Sequence, residues 1–193
     1  MPHGPLSRRY FLGAMATGVA AVWWTGAARV RAGVAARPIA DGAAPAGALG
    51  PAELRDVDAI AALVLPTDDT PGAREAHVVD FIDRGLATFA ADQRAAFQSG
   101  LADLAARAAA RHPGAARFAE LPPDEQVAVL RALESEQSEF FEMARAATLA
   151  GMFANPEYGG NAGKLGWKLL GFEDRFGWAP PFGYYDRDPS ASD

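Results

Sequence analysis

The chain has 193 residues, 50% of them apolar, 22% charged, and a formal net charge of −6. It contains no Cys, which excludes a disulfide framework, a thiolate zinc site, a cysteine-ligated iron–sulfur cluster, covalent c-type haem attachment and a cysteine nucleophile. The acidic balance argues against a nucleic-acid partner, which would need a basic footprint, and the length suits one domain.

The first 32 residues read as an address. Ser7-Arg8-Arg9-Tyr10-Phe11-Leu12 precedes an apolar run that reaches Ala28, and small residues follow. A charged start, an apolar middle and a small-residue exit are the layout of an export signal. Ser7, Arg8, Arg9, Phe11 and Leu12 stand in the register of a bacterial twin-arginine signal. The run is at the short edge of what spans a bilayer, and Gly13, Thr17, Gly18 and Thr25 dilute it, so a removed signal is expected rather than an anchor. The location expected is periplasmic, by the twin-arginine route, with any membrane association peripheral and made through partners. Without residues 1–32, which hold four Arg and no acid, 14 basic side chains face 24 acidic ones, a net of −10.

Residues 33–50, rich in Gly, Ala and Pro, read as a flexible linker. From Pro51 the pattern turns helical and predicts an all-α fold, a compact bundle of five or six helices over 51–193. The first helix carries Leu54, Val57, Ile60, Ala61 and Val64 inward and stops before Pro66. The turn Pro66–Ala73 follows, with Thr70 expected to cap the next helix and Pro71 at its first position. That helix places Val78, Ile82, Leu86 and Phe89 on one face and pairs Asp80 with Arg84. A third, Asp92 to Arg111, buries Phe97, Leu101, Leu104 and Ala108 and ends at His112-Pro113-Gly114. A fourth starts at Leu121-Pro122-Pro123-Asp124-Glu125 with Val127, Leu130 and Leu133 as its stripe. A fifth, Ser138 to Phe153, has a narrow face of Phe140, Ala144, Ala147 and Gly151. A short helix near Ala162–Leu170 leads into an irregular segment rich in aromatic, Gly and Pro residues.

Two groups carry candidate chemistry. Asp68, Asp69 and His77 could bind a hard metal or do acid–base work, but adjacent Asp in a Pro-bracketed turn more commonly serve the turn itself. Tyr158-Gly159-Gly160-Asn161 lacks the spacing and the strand of a dinucleotide fingerprint. The aromatic run from Phe153 to Tyr185 is the unusual part. Its rings either complete the bundle's own core or anchor a partner protein. Phe153, Tyr158, Asn161, Trp167, Phe172 and Trp178 are the candidate interface.

Two motifs carry a family resemblance. One is Leu65-Pro66-Thr67-Asp68-Asp69-Thr70-Pro71-Gly72-Ala73, leading into His77-Val78-Val79-Asp80-Phe81-Ile82-Asp83. The other is Thr148-Leu149-Ala150-Gly151-Met152-Phe153-Ala154-Asn155-Pro156-Glu157-Tyr158-Gly159-Gly160-Asn161, continued by Gly166-Trp167-Lys168-Leu169-Leu170-Gly171-Phe172. Over about residues 50–175 the chain resembles the small subunit, subunit 3, of gluconate 2-dehydrogenases. The resemblance implies a non-catalytic chain with no cofactor of its own. Its partner would be a large flavoprotein of the glucose–methanol–choline type that holds FAD and oxidises a sugar, sugar acid or polyol. Electrons in that family usually pass to a c-type cytochrome subunit carrying haem c. The small subunit is thought to carry the large one through the twin-arginine translocase after folding. The alternative reading is a free-standing exported metal-binding protein or enzyme built on Asp68, Asp69 and His77.

Overall fold

The computed structural model describes residues 47–175 and 177. The signal residues Ser7, Arg8, Arg9, Phe11 and Leu12, most of the 33–50 segment, and the aromatic residues from Trp178 onward lie outside them. The described residues form an all-α bundle without strands. Its helices are α1 (Pro51–Val64), α2 (Val78–Ala87), α3 (Arg94–Arg111), α4 (Pro123–Ser135), α5 (Glu139–Phe153) and the short α6 (Leu165–Leu169). None is long and apolar enough to cross a membrane.

The fifth helix is the hub, and α1, α2, α3, α4 and α6 all pack on it. Its composition explains this. Phe140, Phe141 and Met152 supply bulk, while Ala144, Ala147, Thr148 and Gly151 keep a low profile that lets neighbours approach. Thr148 is buried in this stripe and satisfies its hydroxyl by donating to the Ala144 carbonyl at 2.8 Å. Phe97 of α3 meets Phe140 edge-on, with centroids 5.3 Å apart. The expected α3 stripe of Phe97, Leu101, Leu104 and Ala108 is buried as a set.

Four local expectations need correction. Thr70 does not cap α2; it donates its N–H and hydroxyl to Asp68 Oδ1, both at 2.9 Å, and α2 starts eight residues later. Asp80 does not pair with Arg84 but lies 3.4 Å from His77 Nδ1. In α4 the buried stripe is Val129, Leu130 and Leu133, and Val127 is only half-buried. Finally, the segment before Pro51 is not all linker. Ala48 and Leu49 are buried, the Leu49 N–H donates to Asp83 Oδ1 at 2.9 Å, and Arg94 donates to the Ala48 carbonyl at 2.8 Å.

One ionisable group sits inside the bundle. Asp56, on α1, is fully buried. Its Oδ1 accepts the Ala119 N–H at 2.9 Å, and Oδ2 lies 2.5 Å from Arg117 Nη2. This fastens the turn Phe118–Glu120 to α1, across 63 residues of sequence. Burial pushes the Asp56 carboxyl above its ordinary range, although the Ala119 N–H and the Arg117 guanidinium both favour the charged form. The folded chain therefore binds this proton more tightly than the unfolded chain. The stability the group contributes is fullest in acid and falls as pH rises through the raised value. Removing one member of such a pair leaves the other uncompensated. Asp56→Ala is expected to cost about 3 kcal/mol. Asp56→Asn keeps an acceptor for Ala119 and cannot titrate, so its stability relative to the parent should improve from pH 4 to pH 7 in denaturant titrations.

Candidate functional site

The two distinctive sequence motifs, far apart in the chain, fold against each other. The first begins as the exit from α1. Glu75 organises it by accepting the Thr67 hydroxyl and the Gly72 N–H on Oε2, both at 2.8 Å. These donors hold its carboxyl below the ordinary range. The Ala73 N–H returns to the Leu65 carbonyl at 2.9 Å, and a Cβ on Gly72 would come within 2.5 Å of that oxygen. The turn is therefore tight. His77, at φ 54°, then launches α2.

The second motif wraps the C-terminal end of α5. A helix end leaves carbonyls without partners. Here two side chains from further along the chain satisfy them. Trp167 Nε1 donates to the Phe153 carbonyl at 2.8 Å, and Asn161 Nδ2 donates to the Ala154 carbonyl at 2.9 Å. Asn161 Oδ1 in turn accepts the Gly166 N–H at 2.8 Å, which sets the start of α6. The side chain of Asn161 thus joins the end of one helix to the start of the next. Its φ of 49° is a left-handed conformation that Asn tolerates better than most residues. Backbone contact is close throughout. A Cβ on Gly166 would lie 1.9 Å from the Met152 carbonyl oxygen, and one on Gly160 would lie 2.3 Å from that of Gly151. The loop also reaches the first motif, where the Ala162 N–H donates to the Ala76 carbonyl at 3.1 Å. Gly151 itself faces Val78 and Phe81 of α2.

This geometry sorts the candidate interface residues. Asn161 has no exposed surface, so the expectation that it faces a partner is corrected: both ends of its amide are used within the chain. Trp167 and Phe153 are half-buried, and the Trp167 ring is edge-on to Phe172 at 5.3 Å. Tyr158 is 54% exposed and Phe172 48%. Trp178 lies outside the described residues.

Sequence reasoning missed the partner of Tyr158. Phe89, expected in the core, is 48% exposed, because α2 ends at Ala87 before the stripe reaches it. Its ring packs between Phe81 at 5.7 Å and Tyr158 at 6.1 Å. The result is a small aromatic cluster on the surface at the junction of the two motifs. Leu169 and Leu170 add a second exposed apolar group at α6. The helical period points to Phe89 as core and carries no signal that it lies at the surface. The Asp56–Arg117 pair did leave a signal, since Asp56 stands one turn before Ile60 on the apolar stripe of α1.

Asp68, Asp69 and His77 do not converge. Asp68 is occupied with Thr70, Asp69 is exposed, and His77 leans toward Asp80. Among the described residues no group of three or more His, Asp or Glu is placed to hold a metal ion. A mixed cleft of about 420 Å³ beside α1 is lined by apolar residues such as Leu54 and Val79 and by Arg55, Asp58, Arg74, Asp80 and Asp83. Part of its charge serves the fold: Arg74 pairs with Asp58 at 2.9 Å, and Asp83 holds the Leu49 N–H. His112 lies 3.5 Å from Glu125, and Glu136 takes a two-pronged contact from Arg107 at 3.0 and 2.8 Å.

A family model described as Gluconate 2-dehydrogenase subunit 3 matches residues 51–174, which include both motifs. No curated protein and no solved structure matches the chain. The close backbone approach at α6 is directly testable. Gly166→Ala should cost roughly 1–3 kcal/mol, because the Met152 carbonyl cannot retreat without loosening the end of α5. Thermal melting of the purified chain reads this, and an unchanged midpoint would contradict the tight junction.

Proposed function

The chain belongs to the gluconate 2-dehydrogenase subunit 3 family, and from that premise we propose that it is the non-catalytic small subunit of a periplasmic FAD-dependent dehydrogenase. In this reading the large subunit is a flavoprotein of the glucose–methanol–choline type acting on a sugar, sugar acid or polyol. The small subunit aids its assembly, stability and twin-arginine export. FAD belongs to the large subunit, and haem c to a c-type cytochrome subunit downstream.

The observation that carries the reading is the family match across the whole described bundle. Two others support it. The two motifs spend their unusual residues on building one rigid junction rather than on a reactive site. That junction then displays the Phe89–Tyr158 cluster to solvent. Exposed rings on a rigid base lose little conformational freedom on binding and suit the centre of an interface. The Arg8-Arg9 pair supports export of a folded cargo, since a preformed complex would explain one address serving two chains.

Co-expression with a candidate large flavoprotein subunit from the same organism tests both halves. The periplasmic fraction should yield the two chains together. Arg8→Lys with Arg9→Lys should leave both in the cytoplasm, and a flavoprotein that still reaches the periplasm would refute the carrier role. Phe89→Ser with Tyr158→Ser should leave the melting of the isolated chain nearly unchanged while weakening the complex by about tenfold or more. Full retention of the complex in that variant would move the interface elsewhere.

A further inference from the structure

The short α6 ends in a way that directs the chain beyond it. Gly171 adopts φ 67°, and the Phe172 N–H donates to the Trp167 carbonyl at 2.8 Å while the Gly171 N–H donates to that of Lys168 at 3.1 Å. These are the two bonds of a Schellman helix end, and the Phe172–Trp167 ring contact is its usual hydrophobic companion. The turn sends the backbone back along α6, where Asp174 meets Lys164 at 2.6 Å. Yet the turn leaves an apolar face uncovered. Leu170 is 60% exposed, Phe172 48% and Leu169 38%. Three large apolar side chains close together in the chain are costly to leave in water.

We propose that this face is the seat of the chain's own next segment, residues 178–185, docked in cis. Four observations select that occupant. The segment is adjacent: the backbone at Asp174 already runs beside α6. It is long enough, since eight extended residues span about 26 Å and α6 only about 8 Å. It has matching chemistry, with Trp178, Phe182, Tyr184 and Tyr185 interleaved with Pro180, Pro181 and Gly183, residues that reverse a chain. Its charge is complementary on balance: Asp186, Arg187 and Asp188 follow it with a net of −1, whereas the docking face carries Lys168 beside Lys164, which already holds Asp174. Tethering keeps the segment at high effective concentration over the face, which a separate protein would have to match. The proposal goes beyond the subunit role and does not depend on it, because it concerns the isolated chain.

Hydrogen exchange on the full-length purified chain tests it. The amides of residues 165–172 should be protected in the parent. They should exchange about tenfold faster when Trp178, Phe182, Tyr184 and Tyr185 are all replaced by Ser, with α1 to α5 unchanged. The absence of Cys allows a second measurement that needs no destabilising change. Leu170→Cys combined in turn with Trp178→Cys, Phe182→Cys or Tyr184→Cys should close an intramolecular disulfide in the monomer. Unchanged exchange in the Ser variant overturns the proposal. So does a disulfide that forms only between two chains, which makes a second copy the occupant. Protection that appears only on adding the flavoprotein subunit also overturns it and assigns the face to that partner.

Discussion

The C-terminal turn of α5 sets the terms for the rest of the structure. Its last carbonyls must find donors, and the loop that crosses over them brings those donors. Trp167 and Asn161 supply the donors from beyond the helix. They can do so only because Gly160 and Gly166 let backbone lie against backbone at distances no side chain would allow. Once that contact is made, α6 has a fixed start, Tyr158 has a fixed position, and Gly151 is pressed against Val78 and Phe81 of α2. The surface that could recognise a partner is thus a consequence of how one helix is terminated.

The buried Asp56–Arg117 pair is a fastening of a different kind. An ion taken out of water loses hydration that a single partner does not fully restore, which is why burial dominates the Asp56 titration. What the pair provides is position. It ties the turn before α4 to the middle of α1, with Phe118 buried alongside. The family motifs and this pair therefore divide the labour, one shaping a surface and the other holding the elements that support it.

Much of the fold was legible where a pattern is local. The stripe Phe97, Leu101, Leu104, Ala108 repeats at helical spacing without interruption, and it is buried as read. Errors fell at element ends. The α2 stripe was carried one turn too far, to Phe89, because periodicity alone does not register that the helix stops at Ala87. Thr70 and Pro71 have the chemistry of a helix start, yet Asp68 claims the Thr70 donors first, and the chain needs eight more residues to reach α2. Ala48 and Leu49 looked like linker because two apolar residues make no period; their burial depends on Asp83 and Arg94, far along the chain.

By itself the amino-acid sequence determined that the described bundle is helical, where most helices lie, and which family the chain belongs to, since these rest on spacing and on residue identity along the chain. Only the tertiary structure decided what the distinctive residues do. Asn161 looks like an interface residue when read in line and is an internal cap, and Trp167 Nε1 caps the same helix end, because the carbonyls they serve are 7 and 14 residues away and only folding brings them within hydrogen-bond range. Phe89 looks like core and is surface for the same reason. Whether a ring faces water depends on which other element arrives over it, and that is a non-local contact that periodicity cannot encode.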